Sequence, residues 1–121
     1  MSRHNELGRL GEDKAVLYLE EKGYQILQRN YRFGRAEVDI IAKLGDTIAF
    51  MEVKTRSSYV FGFPEESVGA TKRKMMAKAA AAYFYEKESN SELRFDIIAV
   101  FKSKDDKWFF KHFEDAFFFY E

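Results

Sequence analysis

Residues 36–54, AEVDIIAKLGDTIAFMEVK, contain two strand-like runs joined by a short turn. AEVDIIAK and TIAFMEVK are rich in residues that favour strands, and LGD between them carries the glycine and aspartate of a tight turn. The stretch therefore predicts a β-hairpin. Apolar residues stand on both faces of each run, which is typical of strands at the centre of a sheet.

Two carboxylates and a lysine interrupt this apolar hairpin. A turn at Gly45 and Asp46 places Asp39 opposite Glu52 or one residue from it, and Lys54 shares the face of Glu52. Facing carboxylates repel, which raises the pKa of one of them or calls for a cation between them. Oxygen ligands of this kind suit Mg²⁺ or Mn²⁺. A structural ion-pair cluster at the edge of the sheet is the alternative interpretation.

The flanking segments predict an α/β domain in which helices flank a mixed sheet around the hairpin. Apolar spacing, alanine content and the capping position of Gly23 indicate the helices, and β-branched and aromatic residues indicate the strands. Besides the hairpin, the predicted elements are helices over residues 6–23 and about 71–88, and strands over residues 24–27, 93–101 and 108–113.

A third carboxylate, Glu12, lies on the first predicted helix. Its spacing places it on the apolar stripe with Ala15 and Leu19, whereas Asp13 faces solvent. The pattern predicts that Glu12 is partly buried and points towards the sheet. A simple preference of acidic residues for the start of a helix is the alternative explanation.

The second predicted helix begins with three cations, Lys72, Arg73 and Lys74, where the helix dipole disfavours positive charge. A bound phosphate would explain this arrangement, and a solvated basic turn is the alternative. The preceding loop carries Tyr59, Phe61 and Phe63. These rings either stack on nucleic-acid bases or fold back over the core.

Composition excludes several other classes of protein. The chain has 121 residues, zero net charge and no cysteine, so we expect one domain over residues 1–121 without disulfides or thiolate chemistry. No apolar run is long enough to cross a membrane, and no signal peptide is recognisable, so we expect a cytoplasmic protein without a membrane partner. His4 and His112 do not have the spacing of a zinc site.

The order Glu12, Asp39, Glu52 and Lys54 resembles the PD-(D/E)xK nuclease superfamily. More narrowly, the chain is similar to the YraN-like family of small bacterial proteins, which is itself similar to archaeal Holliday junction resolvases. The resemblance runs from about Leu7 to Phe117; the stretches that carry it are LGRLGEDKAVLYLEEKGYQILQRNYR, AEVDIIA, FMEVKTR, RFDIIAV and HFEDAF. Ala36 departs from the glycine usual before the Glu of the second stretch, and alanine fits an extended strand.

The resemblance implies a restriction-endonuclease-like fold and Mg²⁺-dependent (or Mn²⁺-dependent) hydrolysis of phosphodiester bonds in DNA, with branched or recombination intermediates as expected substrates. It implies that Asp39, Glu52 and the backbone carbonyl of Val53 hold the metal. Lys54 would orient the attacking water or bind the phosphate, and Glu12 would complete the outer shell. Flanking phosphates would contact Arg56 and the cluster Lys72, Arg73 and Lys74.

Two other functions remain open at the level of sequence. The same fold could serve as a non-catalytic module that binds nucleic acid or a protein partner, with the carboxylate cluster retained but inactive. The same chemistry could also act on RNA, although the resemblance favours DNA. Resolvase-like enzymes often cut two strands symmetrically, so a homodimer is the assembly that the resemblance implies.

Overall fold

Five strands form one mixed sheet in the computed structural model, which describes residues 3–57 and 69–117, with side chains from residue 6. Neighbouring strands are antiparallel except β3 and β4, which are parallel. In sheet order, which is also chain order, the strands are β1 (Gln25–Phe33), β2 (Ala36–Leu44), β3 (Thr47–Arg56), β4 (Glu92–Lys102) and β5 (Trp108–Phe117).

Helices α1 (Arg3–Glu21) and α2 (Ala70–Lys87) cover opposite faces of this sheet. Leu19 of α1 belongs to the same core cluster as Met51 of β3, whereas Met76 of α2 belongs to the cluster of Phe50. Strand β3 is therefore buried on both faces, as its apolar residues predict. The architecture confirms the predicted mixed α/β class and is consistent with a restriction-endonuclease-like fold.

Helix α1 lies very close to β3 at Gly11. A Cβ atom at this position would lie 2.0 Å from Oγ1 of Thr55, so only glycine allows the approach. The helix ends at Glu21, and Gly23 takes the predicted capping position after it. The positive φ of Gly23, 95°, allows the Tyr24 N–H to donate to the Leu19 carbonyl at 3.0 Å. The close approach holds the first half of α1 beside the end of β3.

Strand β1 is longer than the sequence predicts. A strand was expected over residues 24–27, but β1 extends over Gln25–Phe33, so Arg29 and Arg32 lie within the strand. Most residues of this edge strand are exposed, and its polar residues therefore hide the alternating pattern. A register shift between Ile26 and Gln28 interrupts the pattern further.

Candidate active site

The hairpin of β2 and β3 opens at Asp39. The paired ladder runs as far as Ile40 and Met51, and the same register sets Asp39 opposite Glu52, as the sequence predicts. Beyond the ladder, the Val53 N–H donates to Oδ2 of Asp39 at 2.8 Å. The carboxylate of Asp39 thus replaces a backbone acceptor at the point where the two strands separate.

A shift in side-chain alternation accompanies this opening. Val38 and Ile41 both pack in the cluster on the α2 side, although their positions are three apart along the strand. Ile40 and Ala42 pack in the cluster on the α1 side. Because regular strands alternate with a period of two, the strand slips by one position around Asp39. The slip is consistent with the Asp39 carboxylate lying towards β3, where it meets the Val53 N–H.

Glu52 is buried, with 6% of its surface exposed, and carries a carboxylate between two ammonium groups. Nζ of Lys72 lies 3.1 Å from Oε2, and Nζ of Lys54 lies 3.8 Å from Oε1. The Lys72 contact does not have hydrogen-bond geometry, so within the described residues Oε2 has an ion-pair partner but no hydrogen-bond donor. A buried oxygen in this state is well placed to receive a cation.

The pKa of Asp39 is raised to about 7. Burial is the largest cause, and the negative charges of Glu52 and Glu12 raise the pKa further. The Val53 N–H and the Lys72 ammonium lower it in part. The predicted repulsion between facing carboxylates is therefore present, and a divalent cation would relieve it.

Glu12 lies at the side of this pair, with 13% of its side chain exposed. Arg29 donates to its Oε2 from Nε at 2.9 Å and from Nη2 at 2.7 Å, and Asn30 donates at 3.1 Å. Asn30 adopts a φ of 53°, which asparagine tolerates better than most residues. Asp13 is more exposed, at 58%, and also pairs with Arg29. Glu12 thus faces the sheet as predicted, but an arginine holds one of its oxygens.

An open cleft of about 690 Å³ borders Glu12. It lies between the first half of α1 and the middle of β1, and it gives this side of the carboxylate group access to solvent. The residues that line it are Glu6, Arg9, Leu10, Glu12, Asp13, Arg29 and Asn30.

The four cations predicted to bind phosphate have different surroundings. Lys72 contacts Glu52. The guanidinium of Arg73 lies over the ring of Phe117 at 5.6 Å, whereas Lys74 is exposed. Arg56 is also exposed and donates to the carbonyl of Thr55 at 3.0 Å. The first turn of α2 contains no acidic residue, so its N-terminus remains basic.

Tyr59, Phe61 and Phe63 of the aromatic loop lie outside the described residues.

A second polar cluster, centred on Asp96 of β4, was not predicted. Asp96 is fully buried and accepts hydrogen bonds from Nε and Nη2 of Arg94 at 2.9 and 2.8 Å. Nε2 of His112 lies 2.8 Å from Oδ2, and the Asp115 N–H donates to Oδ1 at 2.9 Å. These hydrogen bonds outweigh burial and lower the pKa of Asp96. Tyr24 completes the cluster by accepting from Arg94 at 2.5 Å.

One sequence signal could have revealed this cluster. Asp96 interrupts the apolar run RFDIIAV as Asp39 interrupts VDII. Arg94 is two residues away on the same strand, whereas His112 and Asp115 are distant in sequence. They reach Asp96 because β4 pairs with β5 through an irregular stretch, where Asp115 has a φ of 53°. The cluster satisfies all its buried charges internally, which distinguishes it from the group around Glu52.

Few potential metal ligands lie near Glu52 among the described residues. Within residues 3–57 and 69–117, no three His, Cys, Asp or Glu side chains are grouped as a metal site. Two carboxylates, Asp39 and Glu52, and the main chain at Val53 are the predicted ligands. Mg²⁺ commonly uses one or two carboxylates and fills its other positions with water or phosphate oxygens. The orphaned Oε2 and the raised pKa of Asp39 therefore fit a hard divalent cation.

Residues 11–100 match the model of "Uncharacterised protein family UPF0102", so the match includes Glu12, Asp39, Glu52 and Lys54. The chain belongs to the UPF0102 family. A UPF0102 protein from Christiangramia forsetii is 48% identical over 120 residues, covering 99% of this chain and 100% of the relative. One from Flavobacterium psychrophilum is 45% identical over 118 residues, covering 98% of each chain. One from Bacteroides thetaiotaomicron is 43% identical over 118 residues, covering 98% of this chain and 97% of the relative.

Membership of UPF0102 bears out the YraN-like resemblance and assigns no activity. Among the helices described in this UPF0102 chain, none combines the length and apolar character needed to cross a membrane.

Proposed function

We propose that this UPF0102 chain is a divalent-metal-dependent endonuclease of the PD-(D/E)xK type that hydrolyses phosphodiester bonds in DNA. The observation that carries the proposal is the buried carboxylate of Glu52, whose Oε2 lacks a hydrogen-bond donor among the described residues, set opposite Asp39. Burial and the neighbouring charge of Glu52 raise the pKa of Asp39, and a bound metal would stabilise the charged carboxylate. Branched or recombination intermediates are the proposed substrates.

Each residue of the site has a role that its surroundings support. Asp39, Glu52 and the carbonyl of Val53 would hold Mg²⁺ or Mn²⁺, which when bound stabilises negative charge on the scissile phosphate. Lys54 lies beside Glu52 with 28% of its side chain exposed, so its ammonium can reach water or phosphate at the mouth of the site. Glu12 has one oxygen held by Arg29 and is therefore positioned as an outer group.

Exposed cations supply the non-specific part of binding. Arg56 and Lys74 are accessible near the strand end and the start of α2, where they can contact flanking phosphates. Such contacts orient the nucleic acid without reading its sequence. Proteins that neutralise phosphates in this way bind more weakly as salt concentration rises.

A cleavage assay tests the proposal. Labelled four-way junction, flap, single-stranded and duplex DNA, together with RNA, are incubated with the wild type and Asp39→Asn in Mg²⁺ or Mn²⁺. Asparagine keeps an acceptor for the Val53 N–H but removes the charge, so we expect a fold of unchanged shape and a loss of cutting of at least about 100-fold. Asp106→Asn is the control, since Asp106 pairs with Lys102 on the β4–β5 turn. Equal cutting by Asp39→Asn and the wild type would refute the proposal.

A non-catalytic nucleic-acid-binding or partner-binding module is the second candidate, and one contact favours it. Lys72 already partly neutralises Glu52, so the carboxylate has a cation without any metal. Calorimetric titration with Mn²⁺ separates the two functions. The module should show no Mn²⁺ binding that depends on Asp39 and Glu52, whereas the nuclease should lose binding when either carboxylate is replaced by its amide.

A further inference from the structure

Lys72 has a contact that its position in the sequence did not predict. It was expected to face phosphate from the start of α2, yet its Nζ lies 3.1 Å from Oε2 of Glu52. The next two cations of the same turn behave differently, because Arg73 lies over Phe117 and Lys74 is exposed. Lys72 therefore brings α2 into electrostatic contact with the carboxylates of the sheet.

Each carboxylate oxygen of Glu52 lies near a lysine ammonium group. Lys54 stands 3.8 Å from Oε1, and Lys72 stands 3.1 Å from Oε2. These lysines differ in origin, since Lys54 belongs to the same strand as Glu52, whereas Lys72 reaches it from α2 across the face of the sheet. Lys72 is also the more exposed of the two, with 41% of its side chain accessible against 28% for Lys54.

A divalent cation and the Lys72 ammonium need the same oxygen. The Lys72 contact lacks hydrogen-bond geometry, so Oε2 is held by charge alone within the described residues. Two positive charges sharing one carboxylate oxygen would lie within about 4 Å of each other, where repulsion is strong in a partly buried site. A lysine side chain has a flexible stem and can move its ammonium towards solvent.

We propose that Lys72 is a positioning residue that neutralises Glu52 in the metal-free protein and that a divalent metal displaces from Oε2. The inference rests on the proposed function and adds a regulatory step to the same site. Before the metal arrives, Lys72 holds a positive charge beside the buried carboxylate of Glu52. The displaced ammonium would turn towards solvent, where a phosphate group would attract it.

Calorimetric titration with Mn²⁺, without nucleic acid, tests the exchange directly. Lys72→Met keeps the length and apolar stem of the side chain but removes the competing charge, so we expect Mn²⁺ to bind on the order of tenfold more tightly. Lys74→Met is the matched control, because it removes one charge from the same exposed turn. It should leave the affinity nearly unchanged, since solvent screens its distant charge.

Thermal unfolding in EDTA tests the contact itself. Lys72→Met should lower the unfolding midpoint of the metal-free protein, because Glu52 then loses its nearer cation, and the effect should disappear in a Glu52→Gln background. If the wild type binds Mn²⁺ but Lys72→Met binds it with equal or lower affinity, the proposed displacement of Lys72 by the metal is wrong. The proposed function would still stand in that case. Absence of Mn²⁺ binding in every variant would refute both. An unchanged midpoint in EDTA would also overturn the counter-ion role.

Discussion

Replacement of Gly11 by alanine should destabilise the protein, although alanine is the better helix former. A Cβ at this position would lie 2.0 Å from Oγ1, 2.6 Å from Cγ2 and 2.8 Å from Cβ of Thr55. Rotation of the threonine side chain exchanges Oγ1 with Cγ2 and leaves its Cβ in place. The contact is therefore relieved only when the backbone of α1 moves away from β3.

The expected change in the free energy of unfolding of Gly11→Ala follows from two opposing effects. Glycine to alanine inside a helix stabilises by about 1 kcal/mol, and overpacking a close contact costs about 1–3 kcal/mol. Because the backbone must move, we take the upper end of the second range, which leaves Gly11→Ala less stable by about 2 kcal/mol. Gly8 lies on the same helix, and a Cβ added there would meet no atom within 4 Å, so Gly8→Ala should be stabilising by about 0.5–1 kcal/mol.

Calorimetric or circular-dichroism melting of the two variants checks this reasoning. At about 4 °C per kcal/mol for a domain of this size, Gly11→Ala should melt about 8 °C below the wild type and Gly8→Ala slightly above it. Thr55→Ala should recover part of the loss in the Gly11→Ala background, since it removes Oγ1 and Cγ2. A Gly11→Ala protein as stable as Gly8→Ala would show that α1 does not lie this close to β3.

Two further predictions concern the charged groups. Because the pKa of Asp39 is raised from 3.8 to about 7, its protonated form stabilises the metal-free protein below pH 4, and this contribution is lost as the pH rises through 7. Melting in EDTA should therefore show Asp39→Asn gaining stability relative to the wild type between pH 4 and 7, and a pH-independent difference over that interval would contradict the raised pKa. Asp96→Asn should destabilise by about 3–5 kcal/mol in urea unfolding, because it removes the fully buried charge that accepts hydrogen bonds from Arg94 and the Asp115 N–H and contacts His112. A loss no larger than that of Asp106→Asn, an exposed control, would show that the buried pair contributes little.

Local sequence patterns were sufficient to predict the central hairpin and the positions of its carboxylates. The turn after Leu44 sets the register that brings Asp39 opposite Glu52, and both residues are close in sequence. The apolar stripe of α1 likewise indicates that Glu12 faces the sheet. Such features follow from periods of two and 3.6 residues, which a single sequence displays directly.

Contacts between distant segments could not be predicted in the same way. The meeting of Lys72 with Glu52 depends on where α2 packs across the sheet, and the pairing of Glu12 with Arg29 depends on the path of the edge strand β1. Asp96 gains His112 through the pairing of β4 with β5. In each case, tertiary packing rather than local periodicity selects the partner.

The register between β3 and β4 keeps two groups of charges apart. Met51 pairs with Asp96, so the buried aspartate shares the α1 side with Met51, whereas the next residue along β3, Glu52, faces Lys72 on the α2 side. One layer of backbone thus lies between the two buried carboxylates, and each draws its cations from its own side. The two groups of charges therefore form separate electrostatic compartments within one small domain. Substitutions in one group can be combined and compared with substitutions in the other.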